Sequence, residues 1–158
     1  MSLSAPHRAA VPEVDTADGL AGAAAICRGV CRMLGELGYA TLAEVTLATG
    51  RRVDVMALGP RAEILVVEIK SSVADFRADR KWQDYLEFCD RFAFAVGPDF
   101  PHALLPVEAG LMIADAYDAH VVRESAATPL SAARRKHLML RFAQVAGARL
   151  ARRDDPPL

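Results

Sequence analysis

Two acidic residues and one lysine have the types and the spacing for metal-assisted phosphoryl chemistry. Asp54 interrupts one apolar run, and after thirteen intervening residues Glu68 and Lys70 close another. Residues two apart on a strand point to the same face, so Glu68 and Lys70 are expected side by side. Burying both charges at the end of an apolar strand is costly unless a ligand or partner offsets the lost hydration. The alternative is that Glu68 and Lys70 pair only with each other or with Arg52.

The chemistry expected of this group is that of a divalent-metal site. Two close carboxylates repel each other, which raises a pKa or recruits a cation. Mg²⁺ and Mn²⁺ prefer such hard oxygen ligands and complete their coordination with waters and phosphate oxygens. The bound ion lowers the pKa of a coordinated water, and a nearby ammonium stabilises developing negative charge. The residue types therefore predict Asp54 and Glu68 as metal ligands and Lys70 as a catalytic group.

A hairpin must bring Asp54 to Glu68, and two registers do so. Pairing Leu58 with Ala62 places Asp54 diagonal to Glu68, whereas pairing Leu58 with Ile64 places the two acids directly opposite each other. Diagonal neighbours on one face of a sheet remain within reach of long side chains. Either register therefore keeps the predicted group together.

Hydrophobic periodicity predicts the elements around this hairpin. We expect helices over 16–37, over at least the second half of 72–89, and from Ser131 onwards, and strands over 39–48, 51–58, 62–70, 92–96, 110–114 and 120–122. The first three strands are joined by short turns, which favours an antiparallel meander. The pattern predicts an α/β protein of mixed (α+β) type, a single domain over 16–153 preceded by a flexible tail over 1–15.

Composition narrows the class of protein. Of 158 residues, 53% are hydrophobic and 25% charged, which excludes a disordered chain. Charges interrupt every apolar run well before the roughly 20 residues of a membrane span. The first residues lack the layout of a secretory signal, and three cysteines are too few for a disulfide framework. We therefore expect a cytoplasmic protein without membrane contact.

Positive charge is concentrated in the last predicted helix. The segment 131–153 holds seven of the 19 basic residues and no acidic one. Clustered Arg and Lys on one face are the electrostatic signature of phosphate contact, which makes Arg134, Arg135, Lys136 and Arg141 candidate nucleic-acid contacts. The alternative is a solvated helix whose cations favour the negative end of its dipole.

Asp54 followed by Glu68-Ile69-Lys70 resembles the D…(E/D)-x-K core of the PD-(D/E)XK nuclease superfamily. The order helix, three-strand meander, helix, strand over 16–97 is similar to that superfamily's core. The resemblance implies a restriction-endonuclease-like core with flanking helices. It also implies that the Ile69 carbonyl joins Asp54 and Glu68 on the metal and that Lys70 assists the attacking water.

Further positions carry the superfamily resemblance less completely. Many members place an additional Glu near the metal, and Glu36 and Glu44 are candidates, of which Glu44 on the first strand is favoured. Some branches carry Q-x-x-x-Y on the next helix, where this chain has Lys81 in place of Gln and Tyr85 as the tyrosine. Lys81 and Tyr85 are thus auxiliary candidates, although Tyr85 is equally well explained as a core aromatic.

A more specific resemblance is to the MmcB family of DNA-repair proteins. It is carried by the segments 68–82, 84–85, 89–91, 97–101 and 110–116. Membership implies a bacterial role in DNA repair or damage tolerance, with DNA and DNA-repair proteins as partners. The leading hypothesis is a Mg²⁺- or Mn²⁺-dependent DNA phosphodiesterase, a hydrolase; the alternative is a non-catalytic DNA-binding or scaffold module that keeps the nuclease fold.

Overall fold

The computed structural model describes residues 16–79 and 81–156; the tail predicted over 1–15 lies outside them. The α-helices are α1 (Thr16–Glu36), α2 (Val73–Ala78) and α3 (Ala132–Asp154), and short 3₁₀ helices span Trp82–Phe88 and His102–Leu104. The strands are β1 (Ala40–Thr46), β2 (Arg52–Leu58), β3 (Ile64–Lys70), β4 (Arg91–Val96), β5 (Gly110–Ala114) and β6 (Ala119–Arg123).

The strands form one mixed sheet in which spatial order follows chain order from β1 to β6. The first three strands are antiparallel, β3, β4 and β5 run parallel, and β6 is antiparallel to β5. The parallel pairs require crossover connections, which α2, the 3₁₀ helices and their loops supply. The predicted meander and the mixed α+β class are confirmed.

The β2–β3 hairpin adopts the longer-loop register. Leu58 pairs with Ile64 and Val55 with Val67, and the Gly59 N–H donates to the Glu63 carbonyl at 2.8 Å, continuing the ladder into the loop. The same register extended by one residue sets Asp54 opposite Glu68. The second of the two predicted registers is therefore confirmed.

Apolar residues cover both faces of the sheet. On one face α1 packs through Ile26, Val30, Met33 and Leu34 against the inward residues of the central strands. On the other, the 3₁₀ helix Trp82–Phe88 and α3 pack through Tyr85, Phe88, Leu138 and Phe142. A central strand covered on both sides explains why all seven residues of β3 are buried. Within the described part of the chain, no helix combines the length and hydropathy needed to cross a membrane.

The segment after α2 differs from its prediction. The sequence pattern suggested α-helical spacing for 82–89, but Trp82–Phe88 is a 3₁₀ helix. Its inward residues recur every three positions, as a helix of three residues per turn requires: Tyr85 and Phe88 are buried, and Trp82 stacks on Phe92 with ring centroids 5.3 Å apart. Leu86, which α-helical spacing from Trp82 would also turn inward, is exposed.

Asp90 joins three separate parts of the fold. Its carboxylate accepts hydrogen bonds from the Ile64 N–H at 2.8 Å and the Leu130 N–H at 2.9 Å. It also accepts two from the Arg135 guanidinium, at 2.6 and 2.7 Å. Burial acts to raise the pKa of Asp90, but the bonds from Arg135, Ile64 and Leu130 outweigh it and hold this pKa below its ordinary value. The start of α3 is thereby fixed against the start of β3.

Helix α3 also covers the outer edge of β1. It begins as predicted at Ser131, whose Oγ accepts from the Arg134 N–H at 3.3 Å. Further along, Arg141 Nε donates to the Thr46 carbonyl at 3.1 Å and Arg149 Nη2 to the Glu44 carbonyl at 3.0 Å. Unpaired strand-edge groups invite association, and these arginines bond two of the edge carbonyls of β1.

Candidate metal site

The residues predicted to do chemistry meet at the end of β3. Asp54, Glu68, Ile69 and Lys70 line one pocket of about 520 Å³. Its remaining walls are Ala23, Ala24 and Cys27 of α1, Ala43 and Glu44 of β1, and Asp75 of α2. The hairpin register and the position of α1 across the sheet thus bring distant parts of the sequence to one cavity.

Glu68 is a buried carboxylate that is only half satisfied. The residue is 6% exposed, and its Oε1 accepts from Lys70 Nζ at 3.4 Å. Its Oε2 is buried and has no hydrogen-bond partner among the described residues. Burial and the negative charge of Asp54 raise the pKa of Glu68 to about 7. An unsatisfied buried carboxylate oxygen costs free energy, and a cation bound there would offset that cost.

Asp54 is held in place by the backbone of β3. Its Oδ2 accepts a hydrogen bond from the Ile69 N–H at 2.8 Å. Burial raises the pKa of Asp54 above its ordinary value, and the bond from Ile69 and the charge of Lys70 offset this in part. The bond fixes the Asp54 carboxylate beside the strand segment that contains Glu68.

Lys70 is clamped by two carboxylates. Its Nζ lies 2.8 Å from Asp79 Oδ2 and 3.4 Å from Glu68 Oε1. Burial acts to lower the pKa of Lys70, but the hydrogen bond to Asp79 and the charges of Glu68 and Asp79 outweigh it, so this pKa is raised. Lys70 therefore carries a fixed positive charge and is unsuited to act as a base.

Asp79 is a site residue that the sequence analysis missed. It caps the C-terminus of α2, and its second oxygen accepts from the Lys81 N–H at 3.0 Å. Burial tends to raise the pKa of Asp79, whereas its bonds to Lys70 and Lys81 lower it below the ordinary value. No spacing rule pointed to Asp79, because the end of α2, rather than a strand, places it.

The three auxiliary candidates occupy different positions. Glu44 lines the pocket, with an exposed side chain 3.5 Å from Arg52 and a backbone φ of 52°. Tyr85 is buried, and its hydroxyl donates a hydrogen bond to the Arg52 carbonyl at 3.2 Å. Burial and the nearby charge of Glu68 raise the pKa of the Tyr85 hydroxyl. Lys81 is exposed and contributes its backbone N–H to Asp79.

The four predicted nucleic-acid contacts of α3 also differ in their surroundings. Arg135 is committed to Asp90, and Arg134 bonds the Glu87 carbonyl at 3.1 Å while its guanidinium lies over the Phe88 ring. Phosphate contact by either would require those interactions to break. Lys136 is exposed, and Arg141 bonds the edge of β1.

A second, basic pocket adjoins the first. Arg141, Arg149 and Arg152 of α3 line a groove of about 430 Å³ that also includes Glu44. Glu44 lines both pockets, so the groove lies next to the pocket that holds Asp54 and Glu68. Arg149 and Arg152 lie on the predicted basic helix but are not among its four predicted nucleic-acid contacts.

The donor set fits a hard divalent cation that keeps part of its water shell. Across residues 16–79 and 81–156, no group of three or more His, Cys, Asp or Glu side chains could hold a metal ion. Two carboxylates, Asp54 and Glu68, and a backbone carbonyl are a set that Mg²⁺ accepts, because it retains several waters. The unpartnered Glu68 Oε2 is the observation that supports this fit.

Comparisons with known proteins give a family and one solved structure. The model of the family described as DNA repair protein MmcB-like matches residues 10–157. The SPO1766 protein of unknown function from Silicibacter pomeroyi is 52% identical, with a TM-score of 0.84 over 85% of this chain and 92% of that one. No curated protein matches the chain.

Proposed function

Because the chain belongs to the MmcB-like family of DNA repair proteins, we propose that it hydrolyses DNA phosphodiester bonds with Mg²⁺ or Mn²⁺ held by Asp54 and Glu68. The observation that carries this proposal is the buried Glu68 carboxylate, whose Oε2 lacks a partner among the described residues. Lys70 and the Ile69 backbone lie in the same pocket. The substrate in DNA repair is a polyanion, and a bound metal ion would neutralise the negative charge that develops on the phosphate during cleavage.

The order of elements supports a restriction-endonuclease-like core for this activity. Helix α1, the β1–β2–β3 meander, α2 and the parallel strand β4 follow one another as in the PD-(D/E)XK superfamily. Asp54 lies on the second strand of the meander, and Glu68-Ile69-Lys70 ends the third. Fold and motif thus support the same proposed chemistry.

Four residues of the pocket, and Asp79 next to it, have roles in the proposed reaction. The bound ion would lower the pKa of a water and neutralise charge on the phosphate. Asp54 and Glu68 would hold it through carboxylate oxygens, and Ile69 through its carbonyl. The Lys70 ammonium would stabilise charge that develops on the phosphoryl oxygens. Asp79 is a positioning residue, since it fixes Lys70 Nζ at 2.8 Å.

Mn²⁺ is expected to stabilise the folded protein through this pocket. Binding to the native state alone adds about 2.7 kcal/mol at a hundredfold excess over the dissociation constant. We expect Mn²⁺ to raise the melting temperature of the wild-type protein and to leave Asp54→Asn and Glu68→Gln unchanged. Differential scanning fluorimetry with and without EDTA measures this. Asp99→Asn, at an exposed position, is the matched control and should respond like wild type; an equal response in Asp54→Asn would contradict the assignment.

The basic groove is expected to govern the salt dependence of DNA binding. Each phosphate contact contributes about 0.7 to 0.9 to the slope of log affinity against log salt concentration. Arg149→Gln and Arg152→Gln should therefore each reduce the magnitude of this slope by about 0.7 to 0.9, the contribution of one phosphate contact. Anisotropy titrations with labelled single-stranded and duplex DNA at several salt concentrations measure the slope. The control is Arg77→Gln, at an exposed position of α2. An unchanged slope in both groove variants would remove the groove from the interface.

A specific observation also favours a second candidate, a DNA-binding module without catalysis. Lys70 already has two carboxylate partners, and one Asp54 oxygen is bonded to the Ile69 N–H. Such saturated contacts suit a site retained for structure. DNA binding that persists in EDTA and in Asp54→Asn, with no cleavage by the wild-type protein, would establish this second function.

A further inference from the structure

A second cavity lies at the opposite end of the central strands from Lys70. It has a volume of about 550 Å³ and is lined by residues near the starts of β3, β4 and β5, by the end of α1, and by β6 and the loop after it. This volume is typical of a ligand-binding pocket. None of the predicted catalytic residues lines it, so its role is separate from the metal site.

The interior of this cavity is apolar and is shaped by small residues. Leu65, Ala93, Met112 and Val121 contribute apolar walls. At Gly110 a side chain would have no room, because a Cβ there would lie 2.9 Å from the Ala93 Cβ. The two strands are therefore packed closely at Gly110, and the space for an incoming apolar side chain is the cavity volume of about 550 Å³ itself.

An open strand edge borders the cavity. β6 is the last strand in the sheet order, and no strand among residues 16–79 and 81–156 pairs with its outer edge. The opposite edge strand, β1, is covered by Arg141 and Arg149 of α3. On β6, Val121 is 40% and Val122 55% exposed. An uncovered edge with apolar side chains is a template for adding another strand.

Positive charge slightly exceeds negative charge around the cavity, whose wall holds four arginines and three acidic residues. Each of the three acidic wall residues is engaged: Asp90 by Arg135, Glu124 by Arg91, and Glu63 by the Tyr39 hydroxyl and the Arg61 N–H. Arg61 and Arg123 have no carboxylate within 4.0 Å among the described residues; Arg123 instead bonds the Pro106 and Ala109 carbonyls. The rim therefore favours an anionic group.

We propose that β6 and this cavity bind an extended segment of a partner protein that carries an apolar residue flanked by acidic residues. The segment would add a strand along β6, insert the apolar side chain between Ala93 and Val121, and place its carboxylates at Arg61 and Arg123. Backbone pairing supplies affinity in such strand addition, and the side-chain pocket supplies specificity. This recruitment surface does not depend on DNA cleavage.

The test uses the full-length protein and a phage-displayed library of random linear peptides. We expect enrichment of peptides that combine one large apolar residue with neighbouring Asp or Glu. A synthetic copy of the enriched peptide should bind Arg61→Glu and Val121→Lys at least about tenfold more weakly than wild type, because each change places an unfavourable charge against it. Arg61 is exposed and, among the described residues, forms a hydrogen bond only through its backbone N–H, so reversal of its side-chain charge should not unfold the protein.

Matched controls and a charge swap make the result decisive. Val122→Lys, on the opposite face of the same strand, and Arg77→Glu on α2 should retain wild-type binding. A peptide whose acidic residues are replaced by Lys should regain affinity for Arg61→Glu. Failure to enrich any such peptide, or equal binding by Val121→Lys and Val122→Lys, would overturn the proposal. A wild-type dimer in sedimentation that Val121→Lys dissociates would also overturn it, by assigning the edge to a second copy of the chain.

Discussion

Lys70→Ala is expected to lower the rate of Mn²⁺-dependent DNA cleavage by about a hundredfold to a thousandfold, the loss typical of removing one preorganised charge that stabilises a transition state. The geometry gives the reason, because Lys70 Nζ is fixed between Glu68 and Asp79 at the wall of the proposed metal pocket. Cleavage of labelled single-stranded, duplex and branched DNA measures the rate.

Further variants in the same experiment distinguish a loss of catalysis from a loss of metal binding or of folding. Asp54→Asn should abolish cleavage together with Mn²⁺ binding, whereas Lys70→Ala should retain the ion and lose only rate. Asp79→Asn should reduce the rate without affecting Mn²⁺ binding, as expected when a positioning residue is removed. Asp99→Asn should cleave like wild type. Melting temperatures of all variants identify any loss of folding, and undiminished cleavage by Lys70→Ala and Asp54→Asn would refute the proposed reaction.

Asp90→Ala is expected to destabilise the fold by about 3 to 5 kcal/mol, the cost of breaking an ion pair whose carboxylate is buried and of leaving its backbone donors without an acceptor. The Arg135 guanidinium would lose both bonds, and the Ile64 and Leu130 N–H groups would lose their acceptor. Urea denaturation measures the change in unfolding free energy. Glu124→Ala breaks an exposed pair with Arg91 and should cost at most about 1 kcal/mol; equal losses in the two variants would contradict the role given to Asp90.

The same carboxylate is expected to shape the acid stability of the protein. The pKa of Asp90 is held below its ordinary value of 3.8, so the native state binds fewer protons than the unfolded state in that range. Its contribution is therefore present above pH 3.8 and is lost as the pH falls through the lower native pKa. Asp90→Asn should flatten the acid limb of the stability profile below about pH 4, which urea denaturation at a series of pH values measures.

The meander and the proposed metal site could be predicted because local signals agreed there. Alternation along β2 and β3 set the faces, and the charges at Glu68 and Lys70 stood out against a buried apolar strand. The choice between two registers could not be made from the sequence, because it depends on the Gly59–Glu63 pairing inside the loop. The family resemblance was confirmed over residues 10–157.

The missed features depend on contacts between distant segments. Asp79 reaches Lys70 because α2 ends there, and Asp90 meets Arg135 across 45 positions of sequence. Neither position breaks a periodic pattern, so neither differs in sequence from an ordinary surface acid. The 3₁₀ helix Trp82–Phe88 shows the same limit: apolar residues at 82, 85, 86 and 89 fit the α-helical period, those at 82, 85 and 88 fit the 3₁₀ period, and packing on Phe92 selects the second.

A phosphate bound in the groove would compete with the β1 carbonyls for two arginines of α3, which affects the C-terminal half of that helix. Arg141 and Arg149 bond carbonyls of β1 and also line the groove next to the Asp54 pocket. A phosphate that draws either guanidinium away must break its bond to β1, and by thermodynamic reciprocity loosening that end of α3 favours the phosphate. Amide hydrogen exchange over 141–154 should accelerate on saturation with DNA, while the turn held by Leu138 against the core stays slow.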